Sequence, residues 1–303
     1  MNNASSAGAP EKQGKIRYAF LDELRGFMVV CMVVYHGLCL GSYTFGIKAM
    51  ESFFQFFMPV EPLFAATFIL LCGFCTVYSH SNLCRGLKLA AVALAVTAVT
   101  LVMANTGYIN EEDLITFGIL HLLALCLIVT GLIETVRSRC KHKTHDSERK
   151  CKCEREHTDI QNAECASKKS AIRTGYAVPI AVLLVLFALT YSVPYGSVGI
   201  GSLSFKIPKV LTEGNHLFFL GFVDESYYAG DYFPLIPWSL IFTVGVLSSK
   251  LCGGVLPEFF IKRRIPFLGC VGKKALLIYI VHQPVWYIIF ALTSLVMGRG
   301  VGI

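Results

Sequence analysis

Charge is scarce in this chain. Asp, Glu, Lys and Arg make up 16% of its 303 residues, where a soluble domain carries about 25%. With 54% hydrophobic residues and a mean hydropathy of +0.59, that shortage excludes a soluble globular protein and implies an integral membrane one. Also missing are an internal repeat, a nucleotide-binding motif and paired CxxC knuckles. The net charge of +7 is therefore not read as a nucleic-acid footprint, and no nucleic-acid partner is expected. No small-residue cleavage site closes the first apolar run, so it reads as a span and not as a cleaved signal.

Long apolar runs are what the chain does have. Windows of about 19 residues give seven spans, near 20–42, 56–79, 86–104, 114–133, 175–193, 233–250 and 273–297. Each approaches the roughly 20 residues a helix needs to cross about 30 Å of hydrocarbon. The expected fold is all-α, a polytopic transmembrane helix bundle of about seven spans. Residues 1–19 read as a disordered tail and 20–303 as the membrane domain. Residues 134–174 interrupt that domain as a flexible basic loop, too poor in large apolar residues to bury a core.

The loops set the orientation. With the N-terminus cytoplasmic, 23 of the 27 Lys and Arg residues fall on the inner side, eleven of them in 134–174. This fits the positive-inside rule and puts the C-terminus outside. Cys140, Cys151, Cys153 and Cys165 with His142, His145 and His157 lack zinc-knuckle spacing and sit in a reducing compartment. The loop is read as a solvated linker, and no metal is expected. Cys31, Cys72, Cys126 and Cys270 lie in or beside apolar runs and read as packing residues.

Within the spans, ionisable side chains are costly, on the order of 2.5–3.5 kcal/mol for a charge at the centre. The stretch "LDELRGFMVVCMVVYHGLCL" carries Asp22 and Arg25 at its inner end and His36 about 24 Å across, at 1.5 Å per residue. His121 in "LITFGILHLLAL", Glu61 in "FFMPVEPLFAATF" and Asp231 in "AGDYFPLIPWSL" come out at similar depth, toward the outer face. Glu61, followed by Pro62, and Asp231 would also serve as helix N-terminal caps, and His121 as a neutral hydrogen-bonded core residue. His282 and Gln283, about nine residues above the inner edge of the last span, would line a polar passage below that cluster. Pro284 and the prolines of "DYFPLIPW" suggest kinked or broken helices there. Asp22 and Arg25, three apart on one helix face, can pair. Arg25, with Arg85, Lys88 and Lys262 to Arg264 nearby, suits an anionic ligand at the inner mouth.

Five motifs, "LDELRGFMVVCMVVYH", "FILLCGF", "FGILHLLAL", "DYFPLIPW" and "VGKKALLIYIVHQP", resemble in order the signatures of one family. It is the bacterial integral membrane proteins similar to the catalytic domain of heparan-alpha-glucosaminide N-acetyltransferase, among the wider transmembrane acyltransferases. The resemblance runs from about residue 17 to 290, apart from the basic loop. It implies a bundle in a bacterial plasma membrane that moves an acetyl group from cytoplasmic acetyl-CoA to an external sugar or envelope acceptor. It also implies His36 as catalytic base, Arg25 and Asp22 as a signature pair, and His121, Asp231 and His282 as motif polar residues. The expected catalytic set is His36, His121, Asp231 and Glu61, with Arg25, Asp22, His282 and Gln283 holding the donor. A neutral imidazole suits a base or a transient nucleophile. A proton-coupled transporter would use the same broken helices and buried acids, though no inverted repeat is visible. The oligomeric state is open, a homo-oligomer included.

Overall fold

A computed structural model describes residues 18–109, 113–148, 175–224, 226–227, 229–253 and 256–296. Residues 1–17 of the expected tail and 149–174 of the basic loop, with Cys151, Cys153, Cys165 and His157 of its cluster, lie outside these residues; Cys140 lies within them. The helices are α1 (Ala19–Tyr43), α2 (Lys48–Phe57), α3 (Glu61–Phe74), α4 (Asn82–Asn105), α5 (Ile119–Glu148) and α6 (Ala177–Thr190). After a two-stranded hairpin, β1 (Ser197–Val198) and β2 (Phe205–Lys206), come α7 (Lys209–Thr212), α8 (Leu235–Leu251), α9 (Pro266–Lys273) and α10 (Ala275–Val296).

Among the described residues, six helices are long and apolar enough to cross a membrane. They match six of the seven expected spans; the one expected at 233–250 is α8, an apolar helix of 17 residues. It is short because "DYFPLIPW" breaks its start. Pro234 is its N-cap, and Ile236 holds non-helical φ −101° and ψ 121°. Pro284, by contrast, sits within α10 without dividing it. Two features depart from the hydropathy reading. Residues 48–57 form the short helix α2, which fills the expected loop and takes in the first two residues of the span expected at 56–79. The helix α5 runs past the apolar segment to Glu148, because Arg, Lys and Glu are good helix formers.

The centre of the bundle is α3, α5 and α8. Ile69, Leu122, Ile241 and Phe242 are almost wholly buried there. The helices α4 and α6 leave most of their apolar side chains uncovered, as expected of surfaces whose solvent is lipid. The helix α1 packs on α3, α9 and α10. Its approach to α9 is set by Gly26 and Gly272. A Cβ at Gly26 would collide with the Leu268 carbonyl, and one at Gly272 with the Asp22 carbonyl, so only glycine lets the two backbones touch.

Candidate functional site

At one end of α1, Arg25 Nη1 donates to Asp22 Oδ1 at 3.3 Å, the expected pair, and Nη2 donates to Cys75 Sγ at 3.2 Å. Arg85 and Lys88 are exposed, as are Lys262, Arg263 and Arg264. Between the two members of this pair stands a residue with a different task. Glu23 is 4% exposed, and its Oε1 accepts from the backbone N–H groups of Arg264 at 2.8 Å and Ile265 at 2.9 Å. It therefore caps α9 from another helix, where Ile265 itself offers no side-chain cap. The Arg264 guanidinium lies 3.7 Å over the Phe259 ring. Two acids side by side in "LDELR" were the available signal that one of them serves the fold.

Three turns along α1, His36 lines a cavity together with Tyr35, Glu61, Asp231 and Tyr279; Met32, Phe64 and Phe233 supply part of its apolar wall. The cavity and its opening hold about 520 Å³ of empty space. Three of the four expected catalytic residues thus meet in one place, brought from α1, the start of α3 and the segment before α8. Glu61 is the first residue of α3, with Pro62 behind it. Its carboxylate makes no hydrogen bond among the described residues and stands at the positive end of that helix.

Asp231 is held by local backbone. Residues 230–233 run antiparallel to 114–118, with Gly230 N–H bonded to Leu114 O, Phe233 N–H to Phe117 O, and a bridge from Gly118 to Tyr232. This places Asp231 at the start of α5, where its Oδ2 accepts from Ile119 N–H at 3.3 Å and from the Tyr279 hydroxyl. Asp231 is a cap, but of α5 and not of the helix it precedes. It adopts a left-handed φ of 51°, which Asp tolerates better than most residues. Gly118 is needed opposite, since a Cβ there would stand 2.7 Å from Asp231 Oδ2. Burial pushes the Asp231 carboxyl up to about 6, while the bonds from Tyr279 and Ile119 pull the other way.

His121 lies on the far side of that carboxylate, in a smaller cavity that shares Asp231 and Tyr279 with the first. Its ring stacks on Phe117. Nδ1 accepts from Gly118 N–H at 3.3 Å, which leaves Nε2 protonated to donate to Thr97 Oγ1 at 3.2 Å; Thr97 in turn donates to Ile115 O at 2.8 Å. Both ring nitrogens are thus engaged by the protein.

His282 and Gln283 were expected in a passage beneath the cluster; they stand level with His36. The His36 and His282 rings are 5.1 Å apart, and Gln283 Nε2 lies 3.5 Å from His36 Nδ1. The cause is helix packing: Trp286 Nε1 donates to Val33 O at 2.9 Å, its ring fitting against Gly37. His282 is 6% exposed. Its Nδ1, 2.6 Å from Tyr279 O, must carry the proton because a carbonyl only accepts. Its Nε2 has no hydrogen-bond partner among the described residues. Tyr279 was overlooked in the sequence, although its place three residues before His282 puts both on one face of α10. Among the described residues there is no group of three or more His, Cys, Asp or Glu side chains arranged to hold a metal.

No curated protein and no solved structure matches the chain. The family model described as heparan-alpha-glucosaminide N-acetyltransferase, catalytic, matches residues 17–141 and 168–284. Those ranges take in every residue placed around the cavity and the Arg25 end of α1. The chain is an integral membrane protein and belongs to the heparan-alpha-glucosaminide N-acetyltransferase catalytic family, a family of transmembrane acetyltransferases.

Proposed function

We propose that the protein takes an acetyl group from acetyl-CoA on the cytoplasmic side and delivers it to a sugar or envelope acceptor on the other side of a bacterial plasma membrane. The observation that carries this reading is the single cavity in which His36, Glu61, Asp231 and Tyr279 meet, on the same helix as Arg25. The eleven-residue separation of Arg25 and His36 corresponds to about 16 Å along α1, a distance suited to the extended pantetheine arm of the donor.

Arg25, with the exposed basic residues of the same end, receives the anionic nucleotide part of the donor, and Asp22 holds the guanidinium in place. His282 and Gln283 flank the arm beside His36. At the cavity, His36 takes the proton of the acceptor N–H or O–H as the heteroatom attacks the thioester carbonyl. The new bond to the acetyl carbon forms, the C–S bond breaks, and the CoA thiolate leaves and recovers a proton from the imidazolium. In the covalent variant, His36 itself attacks and the acceptor displaces it. Glu61 and Asp231 stabilise the imidazolium across the cavity. His121, with both nitrogens engaged, contributes by fixing the start of α5 and through it Asp231.

The test is to supply inside-out membrane vesicles with CoA labelled on its acetyl group. Label passes to a vesicle component or to the protein, and His36→Ala lowers the rate about 10²–10⁴-fold, the usual contribution of a general base. Vesicles that take up a solute in response to a proton gradient, but leave acetyl-CoA untouched, would replace this reading with a proton-coupled transporter.

A further inference from the structure

The hairpin that follows α6 has no part in the cavity, yet it exposes an unusual set of side chains. Leu203 and Phe205 are each 74% exposed, and Ile200 is exposed beside them. Val210, on α7 just beyond, is exposed as well. In water such a cluster on a tight turn would be a liability. Lys206 and Lys209 are also exposed and stand directly next to it in sequence.

The hairpin is tied by a backbone bond to the end of α6. Gly199 N–H donates to the carbonyl of Leu189, in the last turn of α6, at 2.8 Å. The turn depends on glycine there: Gly199 has φ +122°, and a Cβ would strike the Leu203 carbonyl. The other end of the hairpin is closed by Ile207 N–H on Gly196 O at 3.0 Å. The root of the hairpin is therefore tied to the last turn of a helix long and apolar enough to span a membrane, and does not hang on a loose loop.

We propose that residues 197–211 form an interfacial anchor. Ile200, Leu203 and Phe205 enter the boundary between headgroups and acyl chains of the leaflet where α6 ends, and Lys206 and Lys209 contact lipid phosphates. The occupant of this apolar tip is the bilayer itself. Two features argue for it: the backbone bond that ties the hairpin to the end of α6, whose apolar side chains are largely uncovered, and the pairing of an apolar wedge with adjacent lysines, whose ammonium groups suit the headgroup layer. Insertion of an amphipathic element typically reaches about 5–10 Å into that layer. The anchor fixes the level of the chain leading to Asp231, and it does not depend on the acetyl-transfer reading.

Tryptophan at the tip tests the proposal. The Phe205→Trp and Leu203→Trp chains are reconstituted in vesicles of phosphatidylglycerol and phosphatidylethanolamine, and their emission is compared with that of the parent, which has Trp238 and Trp286 only. The added emission should be lost to lipids brominated near the carbonyl end of their chains, less so to lipids brominated near the terminal methyl, and little to aqueous acrylamide. Quenching by acrylamide and not by brominated lipid would put the tip in water and overturn the proposal. Resistance to both would place it against protein, a second copy included, and would overturn it equally. Two separate tip positions guard against a single substitution that disturbs the turn.

Discussion

A histidine acts as a base only through a ring nitrogen that lacks its proton. At His36 the neighbour is Gln283, 3.5 Å from Nδ1, and a glutamine amide can present either its oxygen or its nitrogen after a half-turn. With the oxygen turned to Nδ1–H, the tautomer leaves Nε2 as the free lone pair. Gln283→Leu removes that choice without adding charge. Loss of one such hydrogen bond is worth about 0.5–1.5 kcal/mol, so initial-rate assays of acetyl transfer should show a fall of up to about tenfold. Gln283→Glu, which still accepts from Nδ1–H, should retain more activity than the leucine variant. Equal loss in both would mean that Gln283 only fills space.

Asp231 supplies a pH signature. Its carboxyl, pushed up to about 6 by burial, exceeds its ordinary value, so the folded protein holds the proton that an unfolded chain would release. The contribution of this group to stability therefore declines as pH rises from about 4 to about 6, while the carboxylate form that the proposed mechanism uses becomes populated only above about 6. The rate should rise through that pH. Tyr279→Phe takes away a donor to the carboxylate and should move the rise to higher pH, whereas Asp231→Asn should abolish it. A pH profile unaltered by Tyr279→Phe would remove Tyr279 from any functional account.

At the scale of elements, the close contact of α1 with α9 joins the end proposed to receive the donor to a structural cap. Glu23 binds two backbone N–H groups that no other side chain caps among the described residues. Leaving a buried donor unsatisfied costs about 1–3 kcal/mol, so Glu23→Ala should lower the thermal unfolding midpoint in detergent clearly more than Glu23→Gln, which retains an acceptor. Gly26→Leu should destabilise by a comparable amount, about 1–3 kcal/mol for forced overpacking, because its side chain has only the α9 backbone to meet.

These contacts also mark how far the sequence could be read. Apolar runs announce spans because a bilayer imposes one length on all of them, and His36, Glu61 and Asp231 stand out because charge is rare there. Helix crossings leave no such trace. That Trp286 seats against Gly37 and so draws His282 and Gln283 level with His36 depends on how α1 meets α10. Glu23 looked like one more acid at a membrane edge, and Tyr279 like one more aromatic in a lipid-facing run. The helix α2 escaped because it is too short to leave a span-length signal, and the extension of α5 because hydropathy measures apolarity and not helix formation.

For the whole molecule, direction is the property on which vectorial transfer depends. A donor at Arg25 and an acceptor at the far end of α1 make sense only if the Arg25 end faces the cytosol, and the expectation from the apolar spans that 23 of the 27 basic residues share that side is the physical reason to propose it. Cysteine labelling tests this without reference to catalysis. Cys140 is exposed near the Arg25 side, and Glu213 is exposed in the segment after α7. A membrane-impermeant maleimide should label Glu213→Cys on intact cells beyond the level of the parent chain, and should reach Cys140 only in inside-out vesicles. The reverse pattern would place the basic end outside, away from the cytosolic donor. Acetyl-CoA could then not be delivered to Arg25, and the proposed direction of transfer would fail even with the cavity intact.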